Sequence, residues 1–264
     1  MSSSFPKLFL ALTLAASPAA AEQLRVCADP NNLPFSNARE EGFENKIVRL
    51  VADEIGAELT YVWWPQRRGL ISEALNAGLC DLIPGTASID GVLLTYPPYY
   101  RSVYAFVGHA GLAISSLDDP RLRSLQVGVE LVGDDGANTP PAVALAARGI
   151  VDNVHGYSIL GDYSREAPPA RIVEAVAAGT IDVAVAWGPL AGYFAPLQHA
   201  DLEVIPVAEQ FDGRLPMAFD ISMALRLDLG ELRMRVEDAL IRRKPDVDRI
   251  LSDYGVPRLD GTAR

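Results

Sequence analysis

Leu24-Arg25-Val26-Cys27-Ala28-Asp29-Pro30-Asn31-Asn32-Leu33-Pro34-Phe35-Ser36 is the stretch whose reading decides the fold. Leu24 to Ala28 is a short apolar run bounded by polar residues, too brief for a helix, and reads as a buried strand. Asp29 to Pro34 cannot extend a ladder, because proline has no N–H to give and fixes φ. The run therefore predicts a tight polar turn at the carboxyl end of the first strand. A helical pattern opens soon after, at Gly42-Phe43-Glu44-Asn45. In an open α/β sheet, ligands sit outside the carboxyl ends of the strands. Asp29 to Phe35 is thus the first place to look for a site; the competing reading is a loop that only turns the chain.

Upstream of this strand, Met1 to Ala21 has a charged start at Lys7, an apolar run from Leu8 to Ala16 and the small residues Ala19-Ala20-Ala21. This is the pattern of a cleaved secretory signal peptide, with the mature chain starting near Glu22. No later stretch approaches the length of a membrane span. The formal charge is -11, and about -12 once Lys7 is removed. Such an acidic balance argues against nucleic acid and anionic membranes as partners. It suits a basic partner protein or serves solubility alone. The two cysteines, Cys27 and Cys80, are an even count in an exported chain, which favours one disulfide. Two buried thiols are the other reading. Cys80 opens Cys80-Asp81-Leu82-Ile83-Pro84-Gly85, which reads as a third strand next to the first.

Downstream, strands and helices alternate. Ile47, Leu50, Val51 and Ile55 give a helix over 42–55, ended by Gly56. Glu58 to Trp64 reads as a strand, Leu70 to Leu75 as a second helix, and Ser102 to Val107 as another strand. The pattern then restarts near residue 110. Strands are expected at 125–129, 157–160, 180–187 and 203–207, and helices at 142–148 and 170–178. An extended segment at 217–225 and helices at 231–242 and 247–254 follow. Alternation of this kind implies largely parallel sheets covered by helices. The length exceeds one typical core. Two α/β lobes are expected, 22–109 with 218–264 and 110–217, the late extended segment returning the chain to the first lobe.

Enzyme signatures are missing. The chain has no phosphate-binding glycine loop, no nucleophile elbow and no His-Glu-x-x-His, and its three histidines lie far apart. Asp29 to Glu40 places Leu33 and Pro34 where a calcium loop needs an oxygen ligand and a glycine, so it is not one. Gly133-Asp134-Asp135-Gly136 reads either as a hard-cation loop or, better, as a solvated turn with a helix-capping Asp. No catalysis, metal or cofactor is expected. What remains is a ring of strand-end turns with polar and aromatic residues. The candidate lining is Asp29, Asn31, Asn32, Phe35, Trp63, Trp64, Arg67, Arg68, Thr86, Tyr99, Asp134, Asp135, Asn138, Trp187 and Tyr193. Aromatics there can line a pocket between lobes or simply pack in the core. Arg67 and Arg68 suit a carboxylate or phosphate, or an exposed helix start.

The two-lobe order, the first strand with its turn, and Pro98-Tyr99 before a strand resemble periplasmic solute-binding proteins of the amino-acid type. The resemblance implies a type II two-lobe fold. Those proteins hold an α-carboxylate with an arginine after the turn matching Gly85-Thr86; this chain has Ser88-Ile89-Asp90-Gly91-Val92 there. They hold the α-amino group with an aspartate after the strand matching Val183 to Ala186; this chain has Trp187-Gly188-Pro189. The strings Val26 to Asn37, Trp64-Pro65-Gln66-Arg67-Arg68-Gly69, Gly133 to Pro141 and Trp187-Gly188-Pro189-Leu190-Ala191-Gly192-Tyr193 are more specific. They resemble the quinoprotein-dehydrogenase-associated binding-protein family of the MoxJ/XoxJ type. That resemblance implies a periplasmic accessory that binds a PQQ-dependent methanol or alcohol dehydrogenase, of the lanthanide type by preference, and helps it mature or activate; a monomer is expected. The alternative is a transporter's binding protein for a small organic solute or PQQ.

Overall fold

The computed structural model describes residues 22–66, 69–87, 89–132, 137–158, 163–213 and 215–259. The expected signal peptide, Arg67, Arg68, Asp134 and Asp135 lie outside the described residues. In chain order, the first half holds β1 (Gln23–Ala28), α1 (Phe43–Ile55), β2 (Glu58–Trp63), β3 (Leu82–Thr86) and β4 (Tyr100–His109). The pattern repeats as β5 (Val127–Val132), α2 (Pro140–Ala147), β6 (Val154–Ser158), α3 (Arg171–Ala177), β7 (Val183–Trp187), α4 (Gly188–Phe194) and β8 (Leu202–Pro206). The chain ends in β9 (Ala218–Leu225), α5 (Gly230–Arg242) and α6 (Lys244–Asp253). Among the described residues no helix is long and apolar enough to cross a membrane.

The longer strands follow one path, β6-β5-β7-β4-β9-β3-β1-β2, with β8 paired to β4. Each half contributes three parallel strands: β2, β1 and β3 in one, β6, β5 and β7 in the other. Two strands running antiparallel to them join the halves. β4 pairs β9 through residues 100–103, then β7 and β8 through residues 104–109. β9 in turn pairs β3 through residues 222–225. The protein is therefore an α/β molecule of two lobes with a curled sheet, and both connecting strands run along the bottom of the space between them.

The cores follow from the patterns. Val26, Ile47, Val48 and Val51 bury against Val236, Leu240, Val247 and Leu251, so α5 and α6 pack on the first lobe with α1. Val127, Val129, Val183 and Val185 fill one face of the second lobe. These β-branched residues sit on parallel strands buried on both sides, where stiff side chains pack well. Several segments differ from expectation. The strand expected at 157–160 is β6, which starts at Val154 because it pairs in parallel with β5 from Val127 onward, and residues 159 and 160 lie outside the described residues. The strand expected from Cys80 begins at Leu82, because Asp81 is turned into a bidentate pair with Arg25 and a contact to Arg226. The helix expected at Leu70–Leu75 is a π-helical turn. It is confined between Gly69 and Gly78, both at positive φ. A single turn there suffices to seat Ala74 and Leu75 against the disulfide.

Cys27 and Cys80 are bonded, with Cα atoms 5.6 Å apart. Val26 faces Leu82 across the parallel β1–β3 pair, which brings the two cysteines to neighbouring positions. The bond thus ties the end of β1, where the polar turn starts, to the entry of β3.

Candidate functional site

A cleft of about 350 Å³ lies between the lobes. Carboxyl ends of parallel strands from both lobes open onto it: Ala28 at the end of β1 and Asp29 just after it, Gly85 in β3, Glu130 in β5 and Trp187 at the end of β7. Tyr100, Tyr104, Phe219 and Ile221 come from the two connecting strands. The location follows the rule for open α/β sheets.

Asp29 organises the turn on the first lobe. Its Oδ1 accepts the Asn31 N–H at 2.8 Å, an Asx turn. Its Oδ2 accepts the Gln66 N–H at 2.7 Å and the Tyr163 hydroxyl of the second lobe at 2.8 Å. The Asn32 amide donates to Gln66 Oε1 at 2.6 Å. Asn31 reaches across, donating to the Arg165 carbonyl at 2.8 Å and accepting the Ala167 N–H at 3.1 Å. The buried carboxylate is thus spent on holding the turn and on closing the lobes.

On the opposite side, Tyr104, Trp187 and Phe219 form a mutual edge-to-face cluster with centroids 5.2 to 6.5 Å apart. Such tilted geometries suit aromatic quadrupoles. Glu130, 1% exposed, lies beside it. Its Oε2 accepts the Trp187 backbone N–H at 2.9 Å, while its Oε1 is buried without a partner. Burial pushes the Glu130 carboxyl up to about 8, the one N–H holding it back only in part. A second buried acid, Glu44, comes from the first turn of α1 on the first lobe. Burial alone pushes it, too, up to about 8. Gly85 makes room for it: a Cβ there would lie 2.0 Å from Glu44 Oε1, at a φ of +68. Burial first, and the neighbouring Glu44 second, raise the Tyr99 and Tyr100 phenols; burial and then Glu130 raise Tyr104.

Of the residues expected from sequence, Asp29, Asn32, Phe35 and Trp187 line the cleft. Tyr99 stands just behind the wall, its hydroxyl accepting the Gly85 N–H at 3.0 Å. Asn31 bridges the lobes rather than lining the space. Trp63 stacks on Tyr61 at 4.6 Å. Trp64 packs on the disulfide cluster with its indole N–H buried and unpartnered. Thr86 pairs with Ser222 in the ladder. Asn138 is exposed on a two-residue strand beside β5. Tyr193 stacks on Tyr254 at 5.4 Å, across the lobes. These side chains are drawn off by stacking or pairing partners. Glu44, Glu130, Tyr104 and Phe219 were not singled out in the sequence. Glu130 gave one signal, an acid directly after the buried run Val127-Gly128-Val129; Glu44 reads only as an acid at a helix start.

Among the described residues the lining carries three carboxyl groups and no basic side chain. Among them, too, no group of three or more His, Cys, Asp or Glu could hold a metal ion.

Protein MoxJ of Methylorubrum extorquens is 34% identical over 250 residues, covering 89% of this chain and 81% of that protein. The chain belongs to the MoxJ family. The crystal structure of MxaJ from Methlophaga aminisulfidivorans superposes with a TM-score of 0.78 at 27% identity, covering 90% of this chain and 100% of the other. The periplasmic binding protein XoxJ from Methylobacterium extorquens superposes with a TM-score of 0.72 at 34% identity, covering 89% and 99%. The fold is thus that of a periplasmic binding protein. No family model matches the chain.

Proposed function

We propose that the protein is a periplasmic accessory that binds a PQQ-dependent methanol dehydrogenase, of the lanthanide-dependent type, and helps it mature or activate. Family membership supports the association, since the MoxJ/XoxJ resemblance carries that role. The observation that carries the reading is Trp187. Where amino-acid receptors of this fold place an aspartate for the ligand's amino group, this chain places an indole in an aromatic cluster facing the cleft. A wall of that kind suits a partner's apolar segment better than a free amino acid. The acidic surface suits a basic partner. Binding, not catalysis, is the role.

Calorimetric titration of the mature protein with purified apo-dehydrogenase tests this. Saturable binding that Trp187→Ala weakens is expected, stronger for the lanthanide than for the calcium enzyme. No heat at tens of micromolar of either enzyme overturns the reading. The second reading, a transport receptor for a small solute, is favoured by the enclosed volume of the cleft, which suits a small molecule. PQQ, a polyanion, is poorly matched to a described lining of three carboxyl groups, unless Arg67 and Arg68 supply the countercharge. A melting-temperature screen separates the readings, because a ligand bound only by the folded state raises stability.

A further inference from the structure

We propose that the cleft is a receptor for a small organic monocation, an alkylammonium group whose N–H donors meet Glu130 and whose hydrocarbon lies on the Tyr104–Trp187–Phe219 cluster. This deepens the second reading above, a receptor for a small solute, and gives the Trp187 wall to that solute rather than to a segment of a partner protein.

Glu130 Oε1 is the first observation. It is buried with no hydrogen-bond partner, on a residue that is part of the cleft wall. A buried carboxyl oxygen left this way, protonated or not, costs free energy that the fold recovers only when a polar partner arrives. The lining is the second. Its described charged groups are all acids, Asp29 and Glu44 from the first lobe and Glu130 from the second. Asp29 already holds three donors, so Glu130 and Glu44 are the groups left to act. The third observation is aromatic. Three rings packed beside Glu130 can turn an aromatic face to an alkylammonium ion, whose charge the negative face of a ring attracts. The cavity volume fits a small organic molecule.

Protons follow from the surroundings. Among the described residues the groups facing Glu130 are the Tyr104 phenol from β4 and the Trp187 backbone N–H at the end of β7. Those facing Glu44 are Tyr99 and Tyr100 from β4 and its approach, and Tyr61 from β2. None is a cation. The empty cleft at neutral pH therefore holds its two acids protonated, with Glu130 titrating near 8. A cation favours the carboxylate, so binding releases a proton to the buffer. Affinity must then rise as pH rises towards about 8 and level off above it. The ligand stays protonated throughout, because an alkylammonium titrates near the lysine value of about 10.4.

The test is calorimetric titration of the mature, disulfide-bonded protein with n-butylammonium, 1-butanol and butyrate. The expected result is binding of n-butylammonium at least ten-fold tighter than either isostere. Its affinity should rise from pH 6 to pH 8, with proton release seen by comparing two buffers of different ionisation enthalpy. Glu130→Gln keeps the acceptor for Trp187 and removes the charge; it should weaken n-butylammonium ten-fold or more and abolish the pH dependence. Equal binding of 1-butanol, no binding of n-butylammonium, or unchanged affinity in a folded Glu130→Gln each overturns the proposal. Should that variant not fold, the isostere and pH comparisons on the unaltered protein decide it alone. Failure here leaves titration against the dehydrogenase unaffected, so the two readings fall separately.

Discussion

Asp29 and Glu130 are both buried acids at the carboxyl ends of parallel strands, on opposite walls of one cleft. Asp29 receives three hydrogen bonds, and Glu130 receives one. The first is built into a turn; the second keeps an oxygen with no partner. Position at a strand end is common to both and decides nothing. What separates them is the supply of donors. The turn after Asp29 returns the Asn31 N–H to it, and Gln66 and Tyr163 supply two more donors, whereas Glu130, between Val129 and Leu131, receives only the Trp187 backbone N–H among the described residues.

The largest test of that contrast is pH. Glu130 and Glu44 are held near 8 by burial, against 4.5 in the unfolded chain. Between those values the folded protein binds protons that the unfolded chain has lost. Their contribution is complete below about pH 4.5 and is lost as pH rises through about 8, by up to roughly 1.4 kcal/mol per pH unit for each acid. Urea unfolding between about pH 5.5 and pH 7.5 should show stability falling with pH, and Glu130→Gln should halve the slope. If the variant keeps the full slope, Glu130 does not hold a proton and the contrast with Asp29 fails.

The disulfide sharpens the same contrast from the other side. It closes a loop between residues 53 apart, for which chain entropy gives about 4 kcal/mol. It also fixes the strand end from which Asp29 projects. Reduction, or Cys80→Ala, should lower the melting temperature by roughly 10 °C. Hydrogen exchange should quicken in β1, β3 and the Asp29 turn before it quickens in β5 and β7. Uniform quickening across both lobes would mean that the bond does not act on the Asp29 wall in particular.

These two walls also mark what the sequence discloses. β1, α1 and the restart of the pattern were legible because apolar periodicity and Gly56 report burial and helix ends directly. The Asp29 turn was legible because its prolines and asparagines have no other use. The β4–β9 connection was not: Ser102 to Val107 read as one more strand, and nothing local says that the halves of the longer observed strand, Tyr100–His109, serve different lobes. Glu130 was hidden for a related reason. An acid after Val127-Gly128-Val129 looks like the start of a polar loop, and only the approach of Tyr104 and Trp187, distant in sequence, seals it from water. Trp63 and Tyr193 went the other way. Both looked like cleft residues, and partners at Tyr61 and Tyr254 claim them.

A smaller effect is expected at Asp29 itself. Asp29→Asn retains an acceptor for the Asn31 N–H but turns an amide donor towards the Gln66 N–H. Two part-buried bonds to that oxygen, from the Gln66 N–H and the Tyr163 hydroxyl, are then lost, at a cost of about 1–3 kcal/mol in all. Denaturant midpoints at fixed pH measure it. Because Asp29 is structural in this account, the variant should lose stability while leaving n-butylammonium affinity within about two-fold, a difference of only about 0.4 kcal/mol. A collapse of affinity at unchanged stability would reverse the assignment of the two acids.

The smallest effect concerns Asn31, the next residue but one, which carries the turn's influence to the second lobe. Its amide donates to the Arg165 carbonyl and its oxygen accepts the Ala167 N–H. Both partners sit on the segment that also brings Tyr163 to Asp29. Asn31→Ala removes two half-buried hydrogen bonds that span the lobes and leaves the Asx turn intact, since that turn uses the Asn31 backbone N–H. Each such bond contributes about 0.5–1.5 kcal/mol net, so a loss of about 1–2 kcal/mol is expected. The loss should fall on closure more than on folding, because β4 and β9 keep the lobes connected whether or not they touch. Small-angle scattering is therefore the sharper measurement: the variant should show a larger radius of gyration than the unaltered protein, with near-unchanged circular dichroism. An unchanged radius with a lowered denaturation midpoint would place Asn31 with Asp29, as part of the first lobe's own stability and not of the contact between the two walls.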